Sequence, residues 1–191
     1  MKPTPAGKEK VVFQGKIFEI IHQPMKLGKK IVQFEIARRS PGLRLLIINE
    51  NKILLTKEFR YEQKEWDYRL PGGKVFDTLE EYNSVLGKKE DILKKAQRVA
   101  KKECEEETGL IPLTLKHIHT TALAATLDFR LYYFVVEKFK PGNDGQKLEE
   151  GEEIKPEWYT FEHVRKMCLN GAVKEDMSVA VLLRFLANLE K

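Results

Sequence analysis

The chain has 191 residues, 34 basic and 29 acidic, for a net charge of +5; 42% are hydrophobic and 33% charged. That balance describes a soluble globular domain with a core of its own and excludes a collagen-like or largely disordered chain. No apolar run nears the roughly 18 residues of a membrane span, and residues 1–8 lack the apolar stretch of a secretory signal. The only cysteines, Cys104 and Cys168, are too few for a thiol metal site and point to a reducing, cytoplasmic setting. The positive balance admits a nucleic-acid partner, but a solvated basic surface is the simpler expectation.

In chain order, residues 1–9 read as a loose polar tail. Val11 to Ile21 is rich in β-branched and aromatic residues, and Lys30 to Ala37 alternates with period two, with Gly28 in the turn between them. These predict a small antiparallel β appendage over 10–40, closed by Ser40-Pro41-Gly42, ahead of a main domain over 41–191. Leu43–Ile48 and Lys52–Thr56 flank Asn49-Glu50-Asn51, a hairpin pattern. Leu70-Pro71-Gly72-Gly73 is a tight turn. Asp77 with Glu80 predicts a capping box for a short helix that Gly87 ends. A long helix over 90–108 is stopped by Gly109. Strands are predicted at 113–121, 129–139 and 154–160, and helices at 161–169 and 176–189. Pro141–Gly151 is a polar, Gly-rich loop. Strands and helices without βαβ regularity indicate an α+β fold, with a mixed sheet between helices.

The long helix carries the chemistry. Advancing about 100° per residue from Ala96, residues Ile92, Leu93, Ala96, Val99 and Ala100 form an apolar stripe. Glu103 and Glu107 fall at about −20° and +20°, inside that stripe, and Glu106 at about −80°, on its edge. Carboxylates aimed where core side chains point need neutralising, and acids at a helix C-terminus oppose the macrodipole. An exposed acidic helix end is the plain alternative. The double violation favours a site for a hard cation held by oxygen, Mg²⁺ or Mn²⁺.

Lys102-Glu103-Cys104-Glu105-Glu106-Glu107-Thr108-Gly109-Leu110, preceded by Leu70-Pro71-Gly72-Gly73, resembles the Nudix box of the Nudix hydrolases. Lys102 stands where the family has arginine. About 15 residues beyond the family spacing separate Gly73 from Lys102. The earlier box glutamate falls on Lys94, and the proline that marks ADP-ribose enzymes falls on Ala125. The N-terminal strands, Glu58-Phe59-Arg60-Tyr61 and Glu150-Gly151-Glu152-Glu153-Ile154 are similar to the ADP-ribose and nucleotide-diphosphosugar pyrophosphatase branch.

The resemblance implies a Nudix α/β/α sandwich that hydrolyses the pyrophosphate of a nucleoside diphosphate linked to another group. It implies Glu103 and Glu107 as direct metal ligands, Glu106 as a ligand or holder of a bridging water, and the Gly72 carbonyl as a further ligand. Lys102 would take the part of the arginine that orients the glutamates. A loop glutamate, Glu153 before Glu152, would be the general base. Arg60 is a phosphate contact or a surface ion pair. Tyr61 and Lys74 complete the expected substrate side. Tyr61, Trp66, Tyr68, Phe76 and Phe129 are available for base stacking, though aromatics at strand spacing are more often core. Such proteins are commonly homodimers joined through the N-terminal sheet. Two alternatives stay open: a catalytically weak nucleotide-sensing module, and an RNA-cap or dinucleotide hydrolase, with nucleic acid ranked last.

Three smaller expectations complete the reading. Cys104 is a small core residue. His117 and His119 are ordinary strand residues, because a zinc pair would lack a third ligand. Asp128 contacts a ribose or starts a strand. The charge is also uneven. Residues 103–107 carry −4 and residues 149–157 carry −4, so the remainder carries +13. Two acidic patches in a basic frame suit a small phosphorylated substrate.

Overall fold

The computed structural model describes residues 2–60, 64–88, 90–123, 126–148, 151 and 153–189. In chain order the strands begin with β1 (Thr4–Pro5), β2 (Lys10–Gln14), β3 (Phe18–Leu27), β4 (Lys30–Arg39), β5 (Gly42–Asn49), β6 (Lys52–Arg60) and β7 (Glu65–Arg69). Helices α1 (Leu79–Lys88) and α2 (Ile92–Thr108) follow, then β8 (Leu110–Pro112), β9 (Lys116–Ala122) and β10 (Leu127–Asp128). Last come β11 (Arg130–Val136), β12 (Phe139–Pro141), β13 (Ile154–Thr160), α3 (Phe161–Leu169) and α4 (Asp176–Leu189). No helix among the described residues is long and apolar enough to cross a membrane.

One compact unit gathers residues 1–42, 74–92 and 121–131. Its sheet has the order β1-β3-β4-β10, with β2 also paired to β3. The single strand expected from residue 11 to 21 is two, because the chain turns at Gly15, whose N–H donates to the Phe18 carbonyl at 2.7 Å. The tail expected to be loose is partly paired. β3 is ten residues long and β2 covers only Glu19 to His22, so Met25 and Lys26 remain for Pro5 and Thr4. Helix α1 is capped by Thr78 rather than Asp77: the Glu81 N–H donates to Thr78 Oγ1 at 3.1 Å, one residue later than expected. Gly87 lies inside α1 instead of ending it, a tolerable cost of about 1 kcal/mol so near the last turn.

The expected insertion is built into this unit by a buried polar network. Glu19, 1% exposed, accepts from Arg38 Nη1 at 3.1 Å and from Asn83 Nδ2 of α1 at 3.0 Å. Arg38 Nη2 donates to both oxygens of Glu9 at 2.8 Å. Burial alone would lower the Arg38 pKa, but these acids and Asp128 outweigh it and hold the guanidinium firmly charged. Phe76 and Tyr82 pack with ring centroids 5.3 Å apart, and Val75 and Leu79 are buried too.

The second unit comprises residues 43–73, 93–120 and 132–191. Its sheet has the order β13-β6-β5-β11-β9, with β7 also paired to β6. Together with α2, α3 and α4 it forms the expected α+β sandwich. The core is the apolar run of β5 and β6 (Leu43, Leu45, Leu46, Ile47, Ile53, Leu55) against Tyr133 and Phe134 of β11, all fully buried. Helices α3 and α4 fall on the residues predicted for them. Thr160 caps α3 by accepting from the His163 N–H at 3.2 Å.

Candidate active site

The buried line of α2 runs Ala96, Ala100, Cys104, Thr108, one residue every four. Each step of four advances about 40°, so the line slides away from the centre set by Ala96. Glu103 and Glu107 are therefore half-buried beside the core rather than in it. Cys104 is the small core residue expected, and burial first of all pushes its thiol up to about 11. A thiol held so far from its thiolate is a poor nucleophile.

Glu105 and Glu106 are half-buried as well, but it is Glu103 and Glu107 that converge on the Pro71–Gly73 turn. This turn runs along β5: the Leu43 N–H donates to the Gly73 carbonyl at 2.9 Å, and the Leu45 N–H to that of Pro71 at 2.8 Å. Gly72 has φ 142°, and a Cβ there would lie 2.3 Å from the Leu43 carbonyl oxygen. Its N–H donates to Glu107 Oε2 at 2.8 Å. A Cβ on Gly73 would lie 2.5 Å from Glu103 Oε1 and 2.7 Å from Oε2. The two glycines thus leave a cradle that the carboxylates of Glu103 and Glu107 occupy from the helix side. Glu106, one residue before Glu107, has Oε1 3.1 Å from Lys102 Nζ, so Lys102 reaches at least one box acid as the arginine would.

How α2 tolerates acids at its negative end is answered by the loop after β12. The Gly109 N–H donates to the Glu105 carbonyl at 2.9 Å, with Gly109 at φ 70°. The Lys147 N–H donates to the Glu106 carbonyl at 2.8 Å, and Gln146 Nε2 to that of Glu107 at 2.6 Å. Pairing these carbonyls removes the unsatisfied partial charge that would otherwise repel the carboxylates.

Behind the turn lies a pair that the sequence reading does not foresee. Arg44 donates through Nε and Nη2 to the two oxygens of Glu175, at 2.9 and 2.6 Å, and through Nη1 to the Leu43 carbonyl at 2.9 Å. The Ser178 hydroxyl also donates to Glu175. Burial works to raise the Glu175 pKa, but Arg44 and Ser178 hold the carboxyl below its ordinary value. Arg44 belongs to the strand that supports Gly72, so this pair braces the floor of the cradle.

The remaining expected residues lie as follows. Arg60 Nη2 is 2.8 Å from Glu58, and Arg69 is paired with Asp67. Lys74 is exposed, in an isolated bridge with Gly42. Glu153 is exposed and 2.9 Å from Lys155. Tyr61, Glu149, Glu150 and Glu152 lie outside the described residues. Among the aromatics, Phe76 is core, Phe129 lies under the Arg39 guanidinium at 5.0 Å, and Trp66 is flanked by Lys57 and Lys155 at 5.0 and 5.2 Å. Tyr68 packs edge-on against Tyr159 at 6.0 Å. His117 bonds Thr120 at 2.8 Å, and His119 packs on Tyr133. Asp128 ends the two-residue strand β10 instead of starting a strand, and lies 3.7 Å from Arg38.

Among the described residues no three His, Cys, Asp or Glu side chains form a ready-made metal cage. Two carboxylates beside an open glycine turn are nonetheless a donor set that fits Mg²⁺, which keeps several waters and is commonly held by one or two carboxylates plus substrate phosphates. Structural zinc, which takes a closed set of four mostly cysteine and histidine ligands, does not match these two carboxylates.

Comparison with known proteins agrees with this geometry. A NUDIX domain model matches residues 38–178, which include both glycines, all of α2 and Glu175. The chain belongs to the Nudix family of pyrophosphohydrolases, enzymes that cleave nucleoside diphosphates linked to other groups. A crystal structure of an ADP compounds hydrolase is similar over 98% of this chain and 93% of its own, with a TM-score of 0.68 at 16% identity, which bears on the fold. No curated protein matched the chain.

Proposed function

We propose that this protein is a Mg²⁺- or Mn²⁺-dependent hydrolase of ADP-ribose or a nucleotide-diphosphosugar, releasing a nucleoside monophosphate and a sugar phosphate. The observation that carries this reading is the convergence of the Glu103 and Glu107 carboxylates on the Gly72–Gly73 turn. Glu103 and Glu107 hold the metal, Glu106 ligates or holds a bridging water, and the Gly72 carbonyl completes the protein's share. Divalent metal bound there neutralises diphosphate charge and lowers the pKa of an attacking water. The protein's own part is to orient the acids, through the Gly72 N–H on Glu107 and Lys102 on Glu106, and to accept the water's proton on Glu153 or Glu152. Lys74, Tyr61 and Arg60 serve the substrate side. Arg60 does so by exchanging Glu58 for a phosphate. The similar fold of an ADP compounds hydrolase supports an adenine nucleotide as the first substrate to try.

The test is a panel of ADP-ribose, GDP-mannose, UDP-glucose and dinucleotides, incubated with Mg²⁺ or Mn²⁺ and followed by mononucleotide release. ADP-ribose or a nucleotide sugar is expected to be cleaved only with metal. No cleavage of any member with either metal sinks the reading.

A homodimer in a reducing cytoplasm belongs to the same proposal. Both cysteines are free. The first unit exposes Phe13 at 60% on β2, Ile17 at 54% in the turn after it and Ile31 at 68% on β4, and large exposed apolar side chains of this kind mark an interaction surface when they lie together. Light scattering is expected to give twice the 22.2 kDa chain mass, and Ile31→Glu to reduce it to one. A monomer before substitution rejects the dimer.

A further inference from the structure

We propose that Gln146 is a positioning residue that sets the register between the acidic loop before β13 and the acid-bearing end of α2. This deepens the hydrolase reading and rests on it. A glutamine amide has two N–H donors, and here both go to backbone carbonyls. One carbonyl is that of Glu107, at 2.6 Å, and the other is that of Ile154, the first residue of β13, at 3.0 Å. One side chain therefore ties the residue next to Glu153 to the backbone of a candidate metal ligand.

The approach is fixed from both sides. The Lys147 N–H donates to the Glu106 carbonyl at 2.8 Å, and the Gly142 N–H to that of Gly109 at 2.7 Å. A Cβ on Gly109 would lie 3.0 Å from the Gly145 carbonyl carbon, so the loop passes the helix end as closely as backbone can. The chain entering the acidic loop is thus held by backbone bonds to α2. The chain leaving it is held to α2 through the Gln146 amide. Because the bridge joins two acceptors, only a donor side chain of similar reach can replace it.

Gln146→Met keeps the length and removes both donors, while Gln146→Lys restores N–H donors one bond further from Cα, on a chain flexible enough to fold back to both carbonyls. In the metal-free protein, amide exchange followed by mass spectrometry is expected to quicken at least about tenfold over residues 142–148 and 153–160 in Gln146→Met, and to return towards wild type in Gln146→Lys. With ADP-ribose and Mg²⁺, kcat of Gln146→Met is expected to fall about 10- to 100-fold with KM within about twofold, and Gln146→Lys to recover it. Glu153→Gln is expected to cost far less in the Gln146→Met background than in wild type, which general loosening would not produce. Wild-type exchange or wild-type kcat in Gln146→Met overturns the proposal, as does a Gln146→Lys protein that recovers neither. Full activity in Glu107→Gln would instead overturn the hydrolase assignment of α2, and the exchange comparison would still decide whether Gln146 sets the register.

Discussion

Glu107→Gln is expected to lower turnover by more than about 100-fold, beyond the loss typical of an outer partner of a metal site, while the protein stays folded. The reason lies in what the substitution keeps. A glutamine oxygen still accepts from the Gly72 N–H, which in wild type meets Glu107 at 2.8 Å, so the contact between helix and turn survives. What disappears is the negative charge on one of two carboxylates facing the cradle. A hard divalent cation loses much of its attraction to the site when one of so few anionic oxygens becomes an amide. Three measurements belong together: mononucleotide release, Mn²⁺ affinity by electron paramagnetic resonance, and the thermal midpoint. Turnover and Mn²⁺ affinity should collapse while the midpoint moves little. Turnover near wild type would remove Glu107 from the metal site.

Arg44→Met is expected to destabilise the second unit by about 3–5 kcal/mol, the usual cost of leaving one member of a buried ion pair alone. Arg44 and Glu175 share two hydrogen bonds and are both largely shielded from water. Removing the guanidinium strands a buried carboxylate that keeps the Ser178 hydroxyl and the charge of Arg60 but loses its two closest donors. The double variant Arg44→Met/Glu175→Leu is expected to recover much of the loss, because no charge is left behind. Urea midpoints for both variants check this. A loss under about 1 kcal/mol in Arg44→Met would mean that the pair behaves as a surface contact. The pH dependence has a definite sign. Glu175 is held below its ordinary pKa in the folded protein, so the pair stabilises fully above the usual carboxylate range. That contribution is lost as pH falls through the lowered folded value.

The difference between Glu107 and Arg44 shows how far the sequence could be read. Glu103 and Glu107 break a periodic rule within a single helix, and such a break is visible wherever the period is clear. Arg44 sits in an apolar run, where it reads as the polar member of an alternating strand, and its partner is 131 residues away. No local pattern joins them. Gln146 lies in a loop whose composition says only that it is a loop, and its two acceptors are backbone atoms, which carry no residue signature. The cap of α1 moved by one position because Asp77 and Thr78 are both good caps, and only the turn's own geometry chooses between them. The break at Gly15 was hidden because the residues on both sides of it favour strands equally.

The insertion between the turn and α2 has a consequence for how the site assembles. Gly73 and Glu103 must meet although 29 residues lie between them, about twice the family spacing. The entropy of closing a loop grows only with the logarithm of its length, so this doubling costs roughly 0.6 kcal/mol. The Glu19–Asn83 bond and the Phe76–Tyr82 packing give the added segment contacts of its own that can offset so small a term. The motif can therefore tolerate lengthening at this point, provided that the added residues fold onto something. The effect belongs to kinetics more than to stability: a contact made early in a short box becomes a distant one here, and its formation should come later in folding.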